Sequence, residues 1–257
     1  MANQTLKRDE FSKFLNCIKL IQDVCTDCDL QKGVIRQRTN DRHAIVEMDL
    51  SSVLNDSTIC FTLLKQKIAL LKSLELDDSA RVGDDEKDIT VELNEKTYKF
   101  IDIFSTLTFR IPIRKFLDNT FVSADEVSNM FELKEEDLVL SYNVSSYMCR
   151  RIKSITEGFN TDVLVWKMNG FDSCLQTESS NKDNSAQLIK NIALNSEMTP
   201  MESKMISLPL CLDINSDIEI NGYKIKDGQV LLCRFRMKYF DIPITIYAQS
   251  QLTKTKG

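Results

Sequence analysis

The sequence predicts an α+β protein made of two topologically similar domains, each with helices packed on antiparallel sheets. The chain has 257 residues, which is enough for two domains of ordinary size. Each half opens with apolar residues at helical spacing and continues with segments in which apolar and polar residues alternate. The second of these helices starts about 135 residues after the first, so the architecture repeats although the sequence does not.

The first half begins with a helix predicted over residues 5–25. RHAIVEMDL, residues 42–50, alternates with a period of two, which predicts a half-buried strand, and STICF is a second short strand. TLLKQKIALLKSLE, residues 62–75, returns to the helical period, and strands follow as far as residue 112. The apolar side chains predicted to face the core are Phe11, Phe14, Leu15, Ile18, Ile21 and Cys25 in the first helix, and Leu63, Leu64, Leu70, Leu71 and Leu74 in the second.

Residues 113–136 keep neither period and predict a connector between domain 1, residues 1–112, and domain 2, residues 137–257. LSYNVSSYMCRRIKSITEGF, residues 140–159, then predicts a helix. In the next segment Asn169 and Gly170 give the strongest short signal for a hairpin turn. Four more strands are predicted over residues 186–194, 204–214, 228–237 and 242–249.

The composition argues against most enzyme classes. The chain has eight cysteines but one C-x-x-C pair, Cys25 and Cys28, and its single histidine is His43. A zinc site normally needs a second pair or further histidines. Glycine-rich phosphate loops, nucleophile elbows and zinc-protease motifs are absent from the sequence. We therefore expect no catalytic residue, no metal ligand and no cofactor.

The sequence has no apolar run long enough to span a membrane, which takes about 18 residues or more. Its start, MANQTLKRDEF, lacks the apolar core of a signal peptide. We therefore expect an intracellular, cytoplasmic protein with no membrane partner.

The order of elements resembles a known family. Five segments in order resemble the first domain of a sliding clamp: the first helix, LQKGVIRQRTNDRHAIVEMDL, CFTLLKQKIALLKSLE, ITVELN and FSTLTFRIP. Two later segments resemble parts of its second domain: MCRRIKSITEGFNTDVLVWKMNGFDSCL and GQVLLCRFRMKYFDIPITIYAQ. The length is similar to that of the two-domain, trimeric clamps, with the tailed-phage branch nearest. One segment departs from the pattern, since residues 210–226, where a fourth lining helix belongs, are acidic and show little helical period.

This resemblance implies a ring-shaped processivity factor for DNA replication rather than an enzyme. Three subunits would close head to tail around duplex DNA and tether the replicative DNA polymerase, after a clamp loader places the ring. Helices would line the hole and contact phosphates, which carry no sequence information. A chain with a net charge of −5 can do this if the helix faces that line the hole are basic.

The resemblance assigns roles to particular residues. The expected DNA-binding residues are basic residues of the predicted helices: Lys13, Lys19, Lys65, Lys72, Arg150, Arg151 and Lys153. Of these, Arg151 lies nearer the apolar boundary of its helix than Arg150 and Lys153 do. The expected partner-binding residues lie in the connector and the last strand: Phe116, Leu117 and Tyr247. The resemblance also implies that FSTLTFRIP of one subunit pairs with NSAQLIKNIAL of the next.

Other interpretations of these residues stay open. Lysines opposite an apolar helix face are often only a solvated surface. A clamp-like scaffold or transcription accessory factor that does not enclose DNA would have the same fold. A thiol or redox enzyme that uses Cys25 and Cys28 is a further alternative from a different class.

Overall fold

A computed structural model gives the chain an antiparallel α+β fold, as the sequence predicts. The structure describes residues 3–54, 59–74, 89–93, 97–102, 108–112, 122–131, 133–179, 185–211, 216–225 and 228–254. The chain divides into two compact units. The first holds residues 1–40 and 47–124, and the second holds residues 41–46 and 125–257. The predicted connector limits, 113 and 136, stay predictions, because residues 113–121 lie outside the described part of the chain.

The first unit contains two antiparallel groups of strands and two helices. Its described elements are β1 (Asn3–Leu6), α1 (Arg8–Leu20), β2 (Cys28–Gln31), β3 (Val34–Arg38), β4 (Ala44–Asp49), β5 (Ile59–Phe61), α2 (Leu64–Lys72), β6 (Ile89–Leu93), β7 (Thr97–Asp102) and β8 (Thr108–Pro112), and the first three residues of β4 belong to the second unit. One sheet has the order β1-β6-β7-β8, and β5-β2-β3-β4 are neighbours in the other.

Helix α1 covers the core of the first unit with one side. Phe11, Phe14, Leu15, Ile18 and Ile21 are all buried there, as the helical spacing predicts. The ring of Phe14 lies 5.9 Å from that of Phe61 on β5, so α1 is joined to the sheet by aromatic contact. The helix begins at Arg8, three residues later than predicted, because residues 3–6 pair with β6 as a strand.

The second unit has one long antiparallel sheet with helices of 13, seven and four residues. Its elements are α3 (Ala124–Met130), β9 (Leu138–Val144), α4 (Ser146–Gly158), β10 (Val163–Glu178), β11 (Ser185–Ile206), α5 (Leu208–Cys211), β12 (Ile218–Ile225), β13 (Val230–Tyr239) and β14 (Ile242–Lys254). The strand order is β10-β11-β9-β12-β13-β14. Met201 to Ser203 of β11 also pair with Leu252 to Lys254 of β14. The core includes Trp166, whose indole Nε1 donates to Met205 Sδ at 3.0 Å.

Several predictions for the second unit were wrong in detail. Residues 138–144 form strand β9, so the helix predicted from residue 140 begins only at Ser146. Asn169 and Gly170 lie inside the continuous strand β10, where Gly170 has φ +60° and the register with β11 shifts on both sides of it. A residue with positive φ serves a β-bulge as well as a hairpin turn, and here it forms the bulge.

The segment that departs from the clamp pattern also has a definite structure. The described part of a fourth helix is the single turn α5, and residues 218–225 of the acidic segment form strand β12. The connector prediction likewise missed α3. No helix in the described ranges exceeds 13 residues or is apolar enough to cross a bilayer.

The turn between β2 and β3 depends on Gly33. It has φ +77°, and an added Cβ would lie 2.6 Å from Ser51 Cα and 2.8 Å from the Leu54 carbonyl oxygen. Both are backbone atoms, and the Gly33 carbonyl accepts the Leu50 N–H at 2.7 Å, so the neighbouring chain cannot move away freely. We predict that Gly33→Ala lowers the free energy of unfolding by about 1–3 kcal/mol, measured by urea unfolding.

Gly158→Ala is the matched control for this substitution. A Cβ at this last residue of α4 meets no atom within 4 Å, and alanine favours the helix. The control should unfold at the wild-type urea concentration or higher. A Gly33→Ala protein as stable as the wild type would contradict the close-approach argument.

Candidate nucleic-acid interface

Helices α1 and α2 lie side by side in the first unit and run antiparallel. At one end, Arg8 Nη1 donates to the Leu74 carbonyl oxygen at 2.9 Å. At the other end, Lys65 Nζ lies 2.8 Å from Asp23 Oδ1, and the Leu64 N–H donates to the Thr26 carbonyl oxygen at 2.8 Å. The outward sides of both helices therefore belong to one face of the unit.

The lysines predicted for this face are not equivalent. Lys19, Lys65 and Lys72 are exposed, whereas Lys13 is half-buried. Lys65 is in an ion pair with Asp23, and both side chains are well exposed, at 65% and 71%. Because exposed pairs of this kind are worth about 1 kcal/mol or less, Lys65 can exchange Asp23 for another anion at little cost.

Helix α2 buries fewer leucines than its sequence predicts. Leu64, Ile68, Leu71 and Leu74 are buried, but Leu63 is 52% and Leu70 is 48% exposed. Leu63 is the N-cap residue and has φ +55°, so its side chain does not point in the direction that the helical period predicts. The outward face of α2 is therefore partly apolar, with Lys65 and Lys72 on it.

Helix α4 carries the most basic helix face of the second unit. Its N-terminus is fixed by two acceptors: Ser145 Oγ accepts the Met148 N–H at 3.3 Å, and Asp217 Oδ1 accepts the Ser146 N–H at 2.9 Å. Cys149, Ile152 and Thr156 are buried on one side. On the other side Glu157 is exposed near the C-terminal end, and the exposed residues of the helix before it are what we call the α4 outer face: Tyr147, Arg150, Arg151 and Ser154.

Two residues of this helix differ from the prediction in their surroundings. Lys153, which the sequence places outward, is half-buried and borders a polar cleft of about 620 Å³ with Glu157 and Asp162. Tyr147, which the prediction leaves out, is 61% exposed, and the Arg151 guanidinium carbon lies 5.9 Å from the centre of its ring. The i, i+4 spacing of the two residues was the signal in the sequence that could have identified this pair.

The predicted partner-binding residues are described only in part. Phe116 and Leu117 lie outside the described residues. The ring of Tyr247 on β14 is half-buried and stacks on Phe131, with ring centres 5.1 Å apart and planes 16° apart. Further along β14, Gln249 and Gln251 border a cavity of about 790 Å³ in the second unit, together with His43 and Met205.

The C-x-x-C pair lies in a setting that does not favour thiol chemistry. Cys25 and Cys28 are both thiols rather than half-cystines, and both side chains are at most 1% exposed. Reactive cysteines are partly exposed and lie near positive charge. Cys25 Sγ donates instead to the Arg38 carbonyl oxygen at 3.8 Å. No group of three metal-ligating side chains occurs in the described part of the chain.

Known structures with the same fold extend over nearly the whole chain. The proliferating cellular nuclear antigen of Entamoeba histolytica is 12% identical, with a TM-score of 0.63 over 96% of this chain and 98% of that one. A chain of the PCNA2–PCNA3 complex of Sulfolobus tokodaii is 11% identical, with a TM-score of 0.53 over 97% and 99%. No protein family and no curated protein sequence matches this chain.

The chain therefore has the sliding-clamp fold, and the fold prediction is confirmed. The nearness to the tailed-phage branch stays a prediction, because both matched structures come from cellular organisms. The intracellular location likewise stays a prediction. At 11–12% identity the likeness carries the fold, and the site residues must be argued from this chain's own geometry.

The burial of the cysteines gives a test of the redox alternative. We predict that a maleimide at pH 8 leaves Cys25 and Cys28 unlabelled in the native protein and labels the half-buried Cys174 faster. Cys17 is an internal reference, because burial raises its pKa to about 12 and leaves almost no thiolate at that pH. Peptide mapping by mass spectrometry reads the result, and rapid native labelling of Cys25 and Cys28 would restore the redox alternative.

Proposed function

We propose that this chain, which has the sliding-clamp fold, forms a ring that encircles duplex DNA and tethers a DNA polymerase during replication. The observation that carries the proposal is the extent of the likeness, since nearly all of this chain matches nearly all of a PCNA chain. Both halves of a clamp subunit are therefore present. The proposal requires no catalytic residue, because enclosure rather than chemistry keeps the ring on DNA.

Two open strand edges support assembly into a ring. Strand β8 is the outer strand of its sheet, and it ends in Pro112, a residue that sheets accept mainly on edge strands. In the described registers, residues 185–193 of β11 pair with β10 alone. One edge belongs to the first unit and the other to the second. Pairing β8 of one subunit with β11 of the next is a head-to-tail contact, which gives a closed ring when three such contacts complete one full turn.

The helix faces support duplex DNA as the ligand. Lys19 and Lys72 are exposed on α1 and α2, and Arg150 and Arg151 are exposed on α4, in a chain with a net charge of −5. Cations concentrated on helix faces attract phosphates although the protein as a whole is acidic. Contacts to phosphates carry no sequence information, so such a ring can slide.

The partners follow from the same arrangement. A closed ring has to be opened before it can enclose DNA without ends, so a clamp loader is an expected partner. For the polymerase we propose a docking site beside β14, where Tyr247 lies next to the residues that border the 790 Å³ cavity. A cavity of this volume accepts a few side chains of a partner peptide, and such anchors carry most of the binding energy.

The proposed contact of β8 with residues 185–193 of the next subunit's β11, which we call the ring seam, can be tested by mutation. We expect light scattering to give three times the mass of one chain, and Arg110→Pro or Leu188→Pro to give single chains. Arg110 is two residues from Pro112 and so presents its backbone on the same side of β8. Leu188 lies at an irregularity of the β10–β11 register and has no register partner on β10, so proline there disturbs that pairing less than proline at a paired position would.

Thermal unfolding of the two seam variants is the control, because a chain that is single only through misfolding would melt early. A mass of three chains in both variants, with the melting temperature unchanged, would place the subunit contact elsewhere. A single-chain mass for the wild type at high concentration would show that the protein does not form a ring.

The second prediction concerns the helix faces. Lys19→Gln, Lys72→Gln and Arg150→Gln together should weaken binding to a duplex and lower the steepness of its salt dependence by about 0.9 for each phosphate that is no longer neutralised. The matched control neutralises three exposed lysines away from the helices and from the proposed subunit contact, Lys32, Lys238 and Lys254, and should keep the wild-type salt dependence. Equal salt dependence in the two triple variants would show that the helix faces do not bind DNA.

A further inference from the structure

The α4 outer face contains a residue that a purely electrostatic surface does not need. Tyr147 is the most exposed of the large hydrophobic side chains in the described ranges, at 61%, on the first turn of α4. An aromatic ring left in water contributes little to folding, because the free energy of burial follows the area removed from water. What sets Tyr147 apart from other exposed apolar residues, such as Phe171, is its place on a basic helix face beside Arg151, where a ligand of that face can reach it.

The ring of Tyr147 is held by its neighbour on the next turn. In a helix, long side chains lean towards the N-terminus, so Arg151 reaches back over the residue four positions earlier. The guanidinium carbon lies 5.9 Å from the ring centre, within the range of a cation–π contact. A tyrosine has only two side-chain torsions to fix, so ordering the ring against a ligand costs little entropy.

The charges around the pair select a negative ligand. Arg151 lies over the ring, and Arg150, also exposed, adds a second cation to the same helix face. The nearest acid at the N-terminal end, Asp217, accepts the Ser146 N–H and caps the helix. The carboxylate therefore compensates the helix end, and the middle turn keeps its positive charge.

We infer that Tyr147 is a DNA contact in its own right, whose phenol O–H donates to a phosphate oxygen of the duplex while its ring holds Arg151 against a neighbouring phosphate. The inference rests on the proposed function and adds a residue to it. Tyrosine side chains are among the groups that bind phosphates in protein–DNA complexes. Stacking on a base is not available to this ring, because the paired and stacked bases of a duplex present no free face.

A neutral contact has a consequence that the arginine contacts lack. Each arginine bound to a phosphate releases a counterion, so its contribution falls as salt rises. A phenol carries no charge, and its hydrogen bond releases none. Tyr147 therefore contributes a part of the affinity that does not depend on salt, which keeps the ring close to the duplex when the ionic contacts are screened.

The test measures binding of a fluorescent duplex by anisotropy over a series of KCl concentrations. Tyr147→Phe keeps the ring and removes the O–H, so the Kd should rise about three- to ten-fold at every salt concentration with an unchanged salt dependence. Arg151→Gln keeps the phenol, so the salt dependence should become less steep by about 0.9. Tyr147→Ala removes both the donor and the support of Arg151, and should bind more weakly than Tyr147→Phe.

Phe171→Ala is the matched control, because Phe171 is 60% exposed on β10 and lies off the helix; it should bind as the wild type does. Wild-type affinity in Tyr147→Phe, beside normal binding by the wild type, would overturn this inference and leave the proposed function intact. Failure of the wild type to bind duplex even at the lowest salt concentration would overturn both.

Discussion

The burial of one side of each long helix fixes everything that the helix can present to a ligand. On α4, Cys149, Ile152 and Thr156 are buried, and the Thr156 hydroxyl donates to the carbonyl oxygens of Ile152 and Lys153, so even the polar member of this set is satisfied. A helix so fixed cannot rotate without exposing its apolar side and burying Arg150 or Arg151, which would cost several kcal/mol for an unpaired charge. The outward direction of the arginines therefore follows from packing. Helix α1 obeys the same constraint through Phe11, Phe14 and Ile18.

The sequence was sufficient where one local pattern decided the outcome. The buried side of α1, the strands β4, β13 and β14 and the exposed position of Arg150 all follow from spacing alone. The sequence pattern was insufficient where pairing with a distant segment determined the local structure. Residues 138–144 pair with β12 and so become a strand, although their pattern continues into a helix. Gly170 bends a continuous strand because β11 pairs on both sides of it. Leu63 and Leu70 were assigned to the core because a nine-residue helix has too few turns to show which leucines its neighbours cover.

The proposed DNA-binding role has to reconcile an acidic protein with an anionic ligand. Clamp action needs modest attraction to phosphates over a whole face rather than a tight site, since a tight site would stop movement along the duplex. Under the proposed function, the exposed cations of α1 and α2 in the first unit, and those of α4 in the second, would supply this attraction, and the weak Lys65–Asp23 pair would let Lys65 exchange the carboxylate for a phosphate. The neutral hydrogen bond of Tyr147 would add binding free energy that salt does not screen. Binding at high salt and sliding along the duplex would then depend on different groups.

The central claim is enclosure of DNA, and topology tests it more directly than affinity does. The protein is loaded at high concentration, or by its loader, onto a nicked circular duplex, and the salt concentration is then raised until the protein no longer binds linear DNA. An enclosing ring stays on the circle at this salt concentration and leaves once a restriction enzyme cuts the circle open. Equal release from the circle before and after cutting would contradict enclosure and leave a clamp-fold scaffold that binds DNA, if it does so, from the outside.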